Sequence, residues 1–236
     1  MMITIKGFIE TSMLDWEGKI VSTLYLPHCN LRCPYCHNSG LILNPEQYKT
    51  IPFETIRDYL IKQQGWIDGV CLSGGEPCMY EDLPDFIKRL RDESVLIKLD
   101  TNGSFPEMLQ RLLDMKLIDY IAMDIKSPLD TYAQMTGIND EKIGERIKQS
   151  IRIVMDSRVD YEFRTTVVPF LHTKEILVTM AESIKGASKY ALQSFVPRDP
   201  IDHEYLKITP FTDDQMRDMQ HAVLPYVQRC VVRGGN

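Results

Sequence analysis

The amino-acid sequence predicts an α/β protein: a partial (β/α)6 barrel of parallel strands, forming a single domain over residues 1–236. Three observations lead there. Short apolar, β-rich runs alternate six times with helical segments, the pattern that right-handed crossovers turn into a parallel sheet. Two of those runs, Val95–Leu99 and Tyr120–Met123, are nearly all apolar, as strands covered by helices are. Six units are also too few to close the eight-stranded barrel, which leaves the sheet open.

Taken in order, strands are expected at Ile20–Leu26, Gly69–Leu72, Val95–Leu99, Tyr120–Met123, Tyr161–Val168 and Tyr190–Gln193. Between the first two, Phe53–Gln64 follows Pro52 and carries Ile56, Leu60 and Ile61 at helical spacing. Leu83–Arg91, Glu107–Met115, Glu141–Met155, Lys174–Ile184 and Asp213–Leu224 repeat that periodicity. No internal repeat, low-complexity tract or Gly/Pro/Ser-rich linker divides the chain. In such sheets chemistry gathers at the C-terminal ends of the strands. Here those ends carry Ser73-Gly74-Gly75-Glu76-Pro77, Asp100-Thr101-Asn102-Gly103 and Asp124-Ile125-Lys126, and a cysteine-rich segment follows the first strand.

Composition narrows the class. The 236 residues suffice for one well-buried domain. No run approaches the roughly eighteen apolar residues of a membrane span. The segment Met1–Gly7 lacks the features of a secretory signal, so a cytoplasmic protein with no membrane partner is expected. A net charge of −6 argues against a nucleic-acid partner, which asks for a basic surface. Of six cysteines, Cys29, Cys33 and Cys36 are crowded together while Cys71, Cys78 and Cys230 are scattered. That distribution fits a reduced metal site better than a disulfide framework.

The crowded segment reads Cys29-Asn30-Leu31-Arg32-Cys33-Pro34-Tyr35-Cys36-His37-Asn38. Soft thiolates this close suit zinc or an iron–sulfur cluster. A structural zinc asks for four ligands, and only His28, His37 or a distant cysteine could supply the fourth. A cubane held by three cysteines keeps one iron open, which points to a ligand binding there. The rim segments each have a plainer reading as well. Gly74-Gly75 with Pro77 could be a simple strand-to-helix turn, or could admit close backbone approach to a ligand. Asp100 and Asn102-Gly103 suit an N-cap and turn. Asp124 and Lys126, two apart on one face, suit an exposed ion pair.

With Tyr35 as the aromatic before the third cysteine, this segment resembles the C-x3-C-x-Φ-C signature of the radical S-adenosylmethionine (SAM) superfamily, and Gly74–Pro77 resembles its GGEP motif. The resemblance implies that Cys29, Cys33 and Cys36 hold a 4Fe–4S cluster whose open iron chelates SAM. It implies that Tyr35 lies near the adenine and that Gly74, Gly75 and Glu76 meet the methionine end. The chemistry implied is reductive cleavage of SAM to a 5′-deoxyadenosyl radical. Asp100-Thr101-Asn102-Gly103, Asp124-x-Lys126 and Arg164 are similar to segments of glycyl-radical-enzyme activases that face SAM. By that likeness Lys126 stands near the SAM carboxylate, and Asp100 and Asp124 near its amino group or a monovalent cation. Thr101, Asn102 and Arg164 belong to the same pocket.

Cys36-His37-Asn38 and the stretch Ala191–Asp202 resemble, within that group, the activating proteins of anaerobic ribonucleoside-triphosphate reductase. The implied partners are that glycyl radical enzyme and reduced flavodoxin or ferredoxin as electron donor. Pyruvate formate-lyase activases carry D-G-P-G-x-R where this chain has Asp15-Trp16-Glu17-Gly18-Lys19, and a histidine where it has Gln193-Ser194-Phe195. Those departures turn the reading toward the reductase. Cys71, Cys78, Cys230, Met79 and Trp66 are read as packing residues. Two rival readings stay open: a radical SAM enzyme acting on a small molecule, like 7-carboxy-7-deazaguanine synthase, and a non-catalytic zinc or electron-transfer module.

Overall fold

In the computed structural model, which describes residues 2–234, the six expected strands lie side by side in chain order and pair in parallel. The chain opens with β1 (Gly7–Ser12), β2 (Val21–Leu26), α1 (Ser39–Leu43), α2 (Phe53–Lys62), β3 (Gly69–Gly74) and α3 (Leu83–Arg91). It continues with β4 (Leu96–Thr101), α4 (Pro106–Asp114), β5 (Tyr120–Asp124), α5 (Tyr132–Met135) and α6 (Ile143–Asp156). It ends with β6 (Asp160–Val167), α7 (Lys174–Ser183), β7 (Tyr190–Ser194), α8 (Asp213–Val223) and β8 (Cys230–Arg233). Strands β2 to β7 with their helices are the six expected units of the partial barrel, and the sheet is not closed.

Two edge strands go beyond the expectation. β1 pairs antiparallel with β2, and β8 adds in parallel to β7. β8 has only four residues and both strands are largely half-buried or exposed, so neither carries the apolar run that marks an interior strand. The short helices α1 and α5 were also not foreseen; at five and four residues they show too little periodicity to read.

Strand periodicity sorts the side chains onto two faces. Leu24, Leu72, Leu99, Ile121, Phe163 and Leu192 are fully buried within the large core under the helices. The other face carries Thr23, Cys71, Lys98, Asp100, Asp124, Glu162 and Arg164, aligned across neighbouring strands by their register. This inner face has one small apolar cluster, where Trp16 from the β1–β2 loop packs with Val21 and Cys71. An inner face this polar would be destabilising in a simple core. It is the surface on which the site is built. Among the described residues, no helix is long and apolar enough to cross a membrane.

Candidate active site

A cavity of about 350 Å³ opens at the C-terminal ends of the parallel strands. Cys29, Cys33 and Cys36 line it from the loop after β2, with Tyr35 between them. Gly74 and Gly75 reach it from the end of β3, and Asp100, Thr101 and Asn102 from the end of β4. Asp124 and Lys126 follow from β5, and Arg164 from β6. Residues spread over 136 positions of sequence thus face one volume, because a parallel sheet brings all its strand ends to one rim.

The cysteine loop is shaped by backbone contacts. Leu26 ends β2, and the carbonyls of Leu26 and His28 accept the amides of Gly75 (2.8 Å) and Glu76 (2.9 Å). The loop and the Gly-Gly turn therefore run in direct contact. A Cβ on Gly75 would fall 1.6 Å from the His28 carbonyl oxygen, so only glycine fits. Gly74 has φ +105°, a region that side chains disfavour. Asn38 Nδ2 donates to the Gly74 carbonyl at 2.8 Å and ties the far end of the loop to the same turn. Cys29 Sγ faces two N–H donors, the Leu31 amide at 3.4 Å and Asn102 Nδ2 at 3.6 Å. Burial pushes the Cys29 thiol up to about 12, with Glu76 adding to the shift, and the Cys33 thiol up to about 11. Free thiols here stay protonated at neutral pH, and a bound cation would have to displace those protons.

Glu76 does not line the cavity; it stands fully buried behind the wall. Its carboxylate accepts the Asn102 amide (2.6 Å), the Thr101 hydroxyl (2.7 Å) and the Cys78 amide (2.9 Å). Burial raises its pKa while these three donors pull the other way. It clamps the β3 and β4 rims together.

The charged residues form one chain, half-buried in the cavity wall. Arg164 bridges the two carboxylates, with Nη1 3.0 Å from Asp100 Oδ2 and Nε 2.9 Å from Asp124 Oδ1. Lys126 Nζ lies 3.0 Å from Asp124 Oδ2, and Ser73 donates its hydroxyl to Asp100 at 3.2 Å. Burial works against ionisation of Asp100 and Asp124, but Arg164 beside both, Lys98 beside Asp100 and Lys126 beside Asp124 hold them below the usual carboxylate range. Burial likewise works against Lys126, and Asp124 keeps it protonated. The site thus presents fixed charges in a water-poor wall, where electrostatic contacts are strong.

Several supporting residues carried no readable signal in the sequence. His172, fully buried, donates or accepts at two backbone points: Nδ1 accepts the Val168 amide at 3.0 Å, and Nε2 donates to the Lys126 carbonyl at 3.1 Å. Its ring meets Tyr35 edge-on, with centroids 6.4 Å apart. Tyr132 accepts the Lys126 amide and donates to the Asp124 carbonyl. Asn30 joins Asn102 and Ser104 in a small amide–hydroxyl network beside Cys29. His172 and Asn30 meet partners 46 and more than 70 residues away, and Tyr132 reaches back six to eight residues at no regular spacing, so the sequence pattern alone could not find them. Cys71, Cys78 and Cys230 are buried in packing positions away from the cavity lining.

Comparison with known proteins shows which families this chain resembles. The sequence pattern describing the radical SAM superfamily matches residues 23–184. A Methanocaldococcus jannaschii protein inferred to be a glycyl-radical enzyme activating enzyme is 32% identical over 99% of this chain and 97% of its own length. An inferred GTP 3′,8-cyclase of Methanococcus vannielii is 25% identical over 89% of this chain and 71% of its own. Among solved structures, a domain of pyruvate-formate lyase-activating enzyme from Bacteroides vulgatus superimposes with a TM-score of 0.56 at 18% identity, covering 71% of this chain and 99% of that one. Streptococcus suis SuiB bound to S-adenosylmethionine gives a TM-score of 0.60 at 12% identity over 90% of this chain and 48% of that one. At such identities the structural likeness speaks for the fold alone.

Proposed function

The chain belongs to the radical SAM superfamily, and from that premise we propose that it is a glycyl-radical-enzyme activase, with anaerobic ribonucleoside-triphosphate reductase as the partner it activates. The observation carrying this reading is the shared cavity: three cysteines from one loop and a linked chain of charges from three strands open onto one volume.

The donor set fits the cofactors that the family implies. Cys29, Cys33 and Cys36 would hold a 4Fe–4S cluster, and no fourth cysteine lines the cavity. Among the described residues, no three His, Cys, Asp or Glu side chains converge tightly enough to hold one metal ion. When cluster and SAM are bound, the chemistry supplied is one-electron cleavage of SAM to a 5′-deoxyadenosyl radical that takes hydrogen from a glycine Cα of the partner.

This chain's residues bind, orient and shield. The N–H donors of Leu31 and Asn102 support the Cys29 sulfur. Lys126 and Arg164 keep N–H donors for the SAM carboxylate, and Gly74-Gly75 bring backbone to its methionine end. Tyr35, packed between His172 and Tyr205, forms a buried wall for the adenine. The electron would come from reduced flavodoxin or ferredoxin. The relative matched over nearly its full length favours an activase over a small-molecule enzyme; the cyclase relatives keep the latter as the second reading.

Anaerobic reconstitution with iron and sulfide, followed by electron paramagnetic resonance of the reduced protein with and without SAM, tests the cofactor reading. A 4Fe–4S signal that changes on adding SAM, with 5′-deoxyadenosine released, is the expected result. Cys29→Ala, Cys33→Ala and Cys36→Ala should each abolish that signal. Tightly held zinc, or a cluster indifferent to SAM, would overturn it. The activase reading then needs a stable glycyl radical on the purified reductase; turnover of a free metabolite without any partner would sink it.

A further inference from the structure

One buried charge has no part in the reading above. Lys98 projects from β4 on the same face as Asp100 and is 2% exposed. An ammonium so buried is strongly destabilising unless it is paired and hydrogen-bonded. Its Nζ lies 2.8 Å from Asp100 Oδ1, donates to the Asp15 backbone carbonyl at 2.6 Å and stands 3.9 Å from Cys71 Sγ. Burial pulls its pKa down, but Asp100 outweighs this and keeps the lysine charged. The Asp15 carbonyl belongs to the β1–β2 loop, and Asp15 lines the same cavity. Lys98 therefore ties that loop to the β4 rim.

The consequence falls on the carboxylates. Without Lys98, the carboxylates of Asp100, Asp124 and the neighbouring Asp15 would outnumber Arg164 and Lys126 by one, leaving a negative charge that draws in a cation. Here all four oxygens already have a cationic nitrogen within about 3 Å; at Asp100 Oδ1 the Lys98 ammonium makes an ion contact without the alignment of a hydrogen bond. Asp100 has Lys98 and Arg164 at 2.8 and 3.0 Å. Asp124 has Arg164 and Lys126 at 2.9 and 3.0 Å. The contact cluster holds three cations for two carboxylates. The neighbouring acids do not reverse this. Glu162 is taken by Arg233 and Lys189, and the Asp15 carboxylate, bound by the Thr23 hydroxyl at 2.6 Å, brings the wall only to neutrality. A metal cation would have to displace a fixed nitrogen and gain no uncompensated charge.

We propose that Lys98 is a built-in counter-cation of this cavity: a positioning residue whose ammonium occupies the place at Asp100 that a monovalent metal ion would otherwise fill. It rests on the SAM reading above. SAM binding is then independent of potassium and sodium, and removing Lys98 makes it dependent on an added cation.

The test measures SAM affinity of the cluster-reconstituted protein at fixed ionic strength in potassium, sodium or tetramethylammonium chloride. Wild-type affinity should differ by about twofold at most among the salts, since a filled site has nothing for them to bind. Lys98→Ala in tetramethylammonium should lose about tenfold or more, as expected when one partner of a buried charge pair is removed. Potassium or ethylammonium, small enough for the vacated space, should restore part of that loss. Lys98→Met, similar in length but uncharged, should lose affinity without rescue by ethylammonium. Melting of the cluster-free protein gives a readout outside the chemistry: potassium should raise the melting temperature of Lys98→Ala above its value in tetramethylammonium and leave wild type unmoved. Wild-type protein that needs potassium or sodium to bind SAM overturns the proposal, even if both variants fail to fold. So does a folded Lys98→Ala that binds SAM as wild type does, or whose loss no cation repairs. Wild-type protein that binds SAM in none of the salts would instead sink the cofactor reading, and the melts would still decide on Lys98.

Discussion

Glu76 and His172 show how single residues carry this site without facing its cavity. Three donors end on the Glu76 carboxylate inside the wall. Glu76→Gln puts an amide N–H against one of them, and an unsatisfied buried donor costs about 1–3 kcal/mol. Urea melts should show that loss, and weaker SAM binding should accompany it because the Asn102 rim is no longer clamped. His172 adds a pH dependence. Burial holds its imidazole neutral and lowers its pKa to about 4, against 6.5 for a free imidazole. The unfolded chain takes up that proton near 6.5 and the native state only near 4. Stability is therefore complete above pH 6.5 and falls as the pH drops through that window, by on the order of 3 kcal/mol. Melting temperatures measured from pH 8 to pH 4 should show the slope, and His172→Gln should flatten it. The motif residues were legible because short spacings encode them: three cysteines on one loop, two glycines at one turn. His172 was not, since its importance arises only where a loop after β6 meets the end of β5.

Among the elements, the parallel strands were readable and the edges were not. Interior strands announce themselves by apolar runs such as Val70–Leu72, whereas β1 and β8 pair through backbone with side chains half in solvent. The Gly74-Gly75 turn, whose sequence suits both a strand-to-helix turn and close approach to a ligand, packs against the backbone of the cysteine loop. Gly75→Ala would drive Cβ into the His28 carbonyl, so the start of the cysteine loop must shift. Lower iron content after reconstitution, together with a melting temperature reduced by several degrees, is the expected outcome for a strained backbone. A variant that loads iron normally would show that the loop tolerates the shift. At the other end of the chain, α8 begins with a capping box in which Thr212 and Gln215 satisfy each other's backbone amides. Thr212→Ala should cost about 1 kcal/mol in stability and leave SAM binding untouched.

On the scale of the whole molecule, the sheet stays open, and the β1–β2 loop reaches across its inner face. Trp16 packs there against Tyr120 with ring centroids 5.5 Å apart, while Glu17 meets Lys189 at 2.5 Å and Arg229 at 3.2 Å, near the far edge of the strand order. The two residues should behave differently on truncation. Trp16→Ala removes a buried aromatic and should cost about 3–5 kcal/mol. Glu17→Ala breaks half-exposed ion pairs and should cost about 1 kcal/mol or less. Denaturant titrations of both variants would separate packing from charge in holding this loop. The sequence by itself determined the α/β class, the six interior units and the place of the chemistry at the strand ends, because hydrophobic periodicity and short-range spacing are local properties of a chain. Tertiary structure alone decided which charges meet. Asp100, Asp124, Lys126 and Arg164 are visible as candidates, but the ion-paired chain they form with the buried Lys98 depends on strand register and on a loop about eighty residues away. Lys98 is the one charge in the nearly all-apolar run Val95–Leu99; only the fold turns its side chain inward, where a single ammonium has to find its partners or be lost from the core.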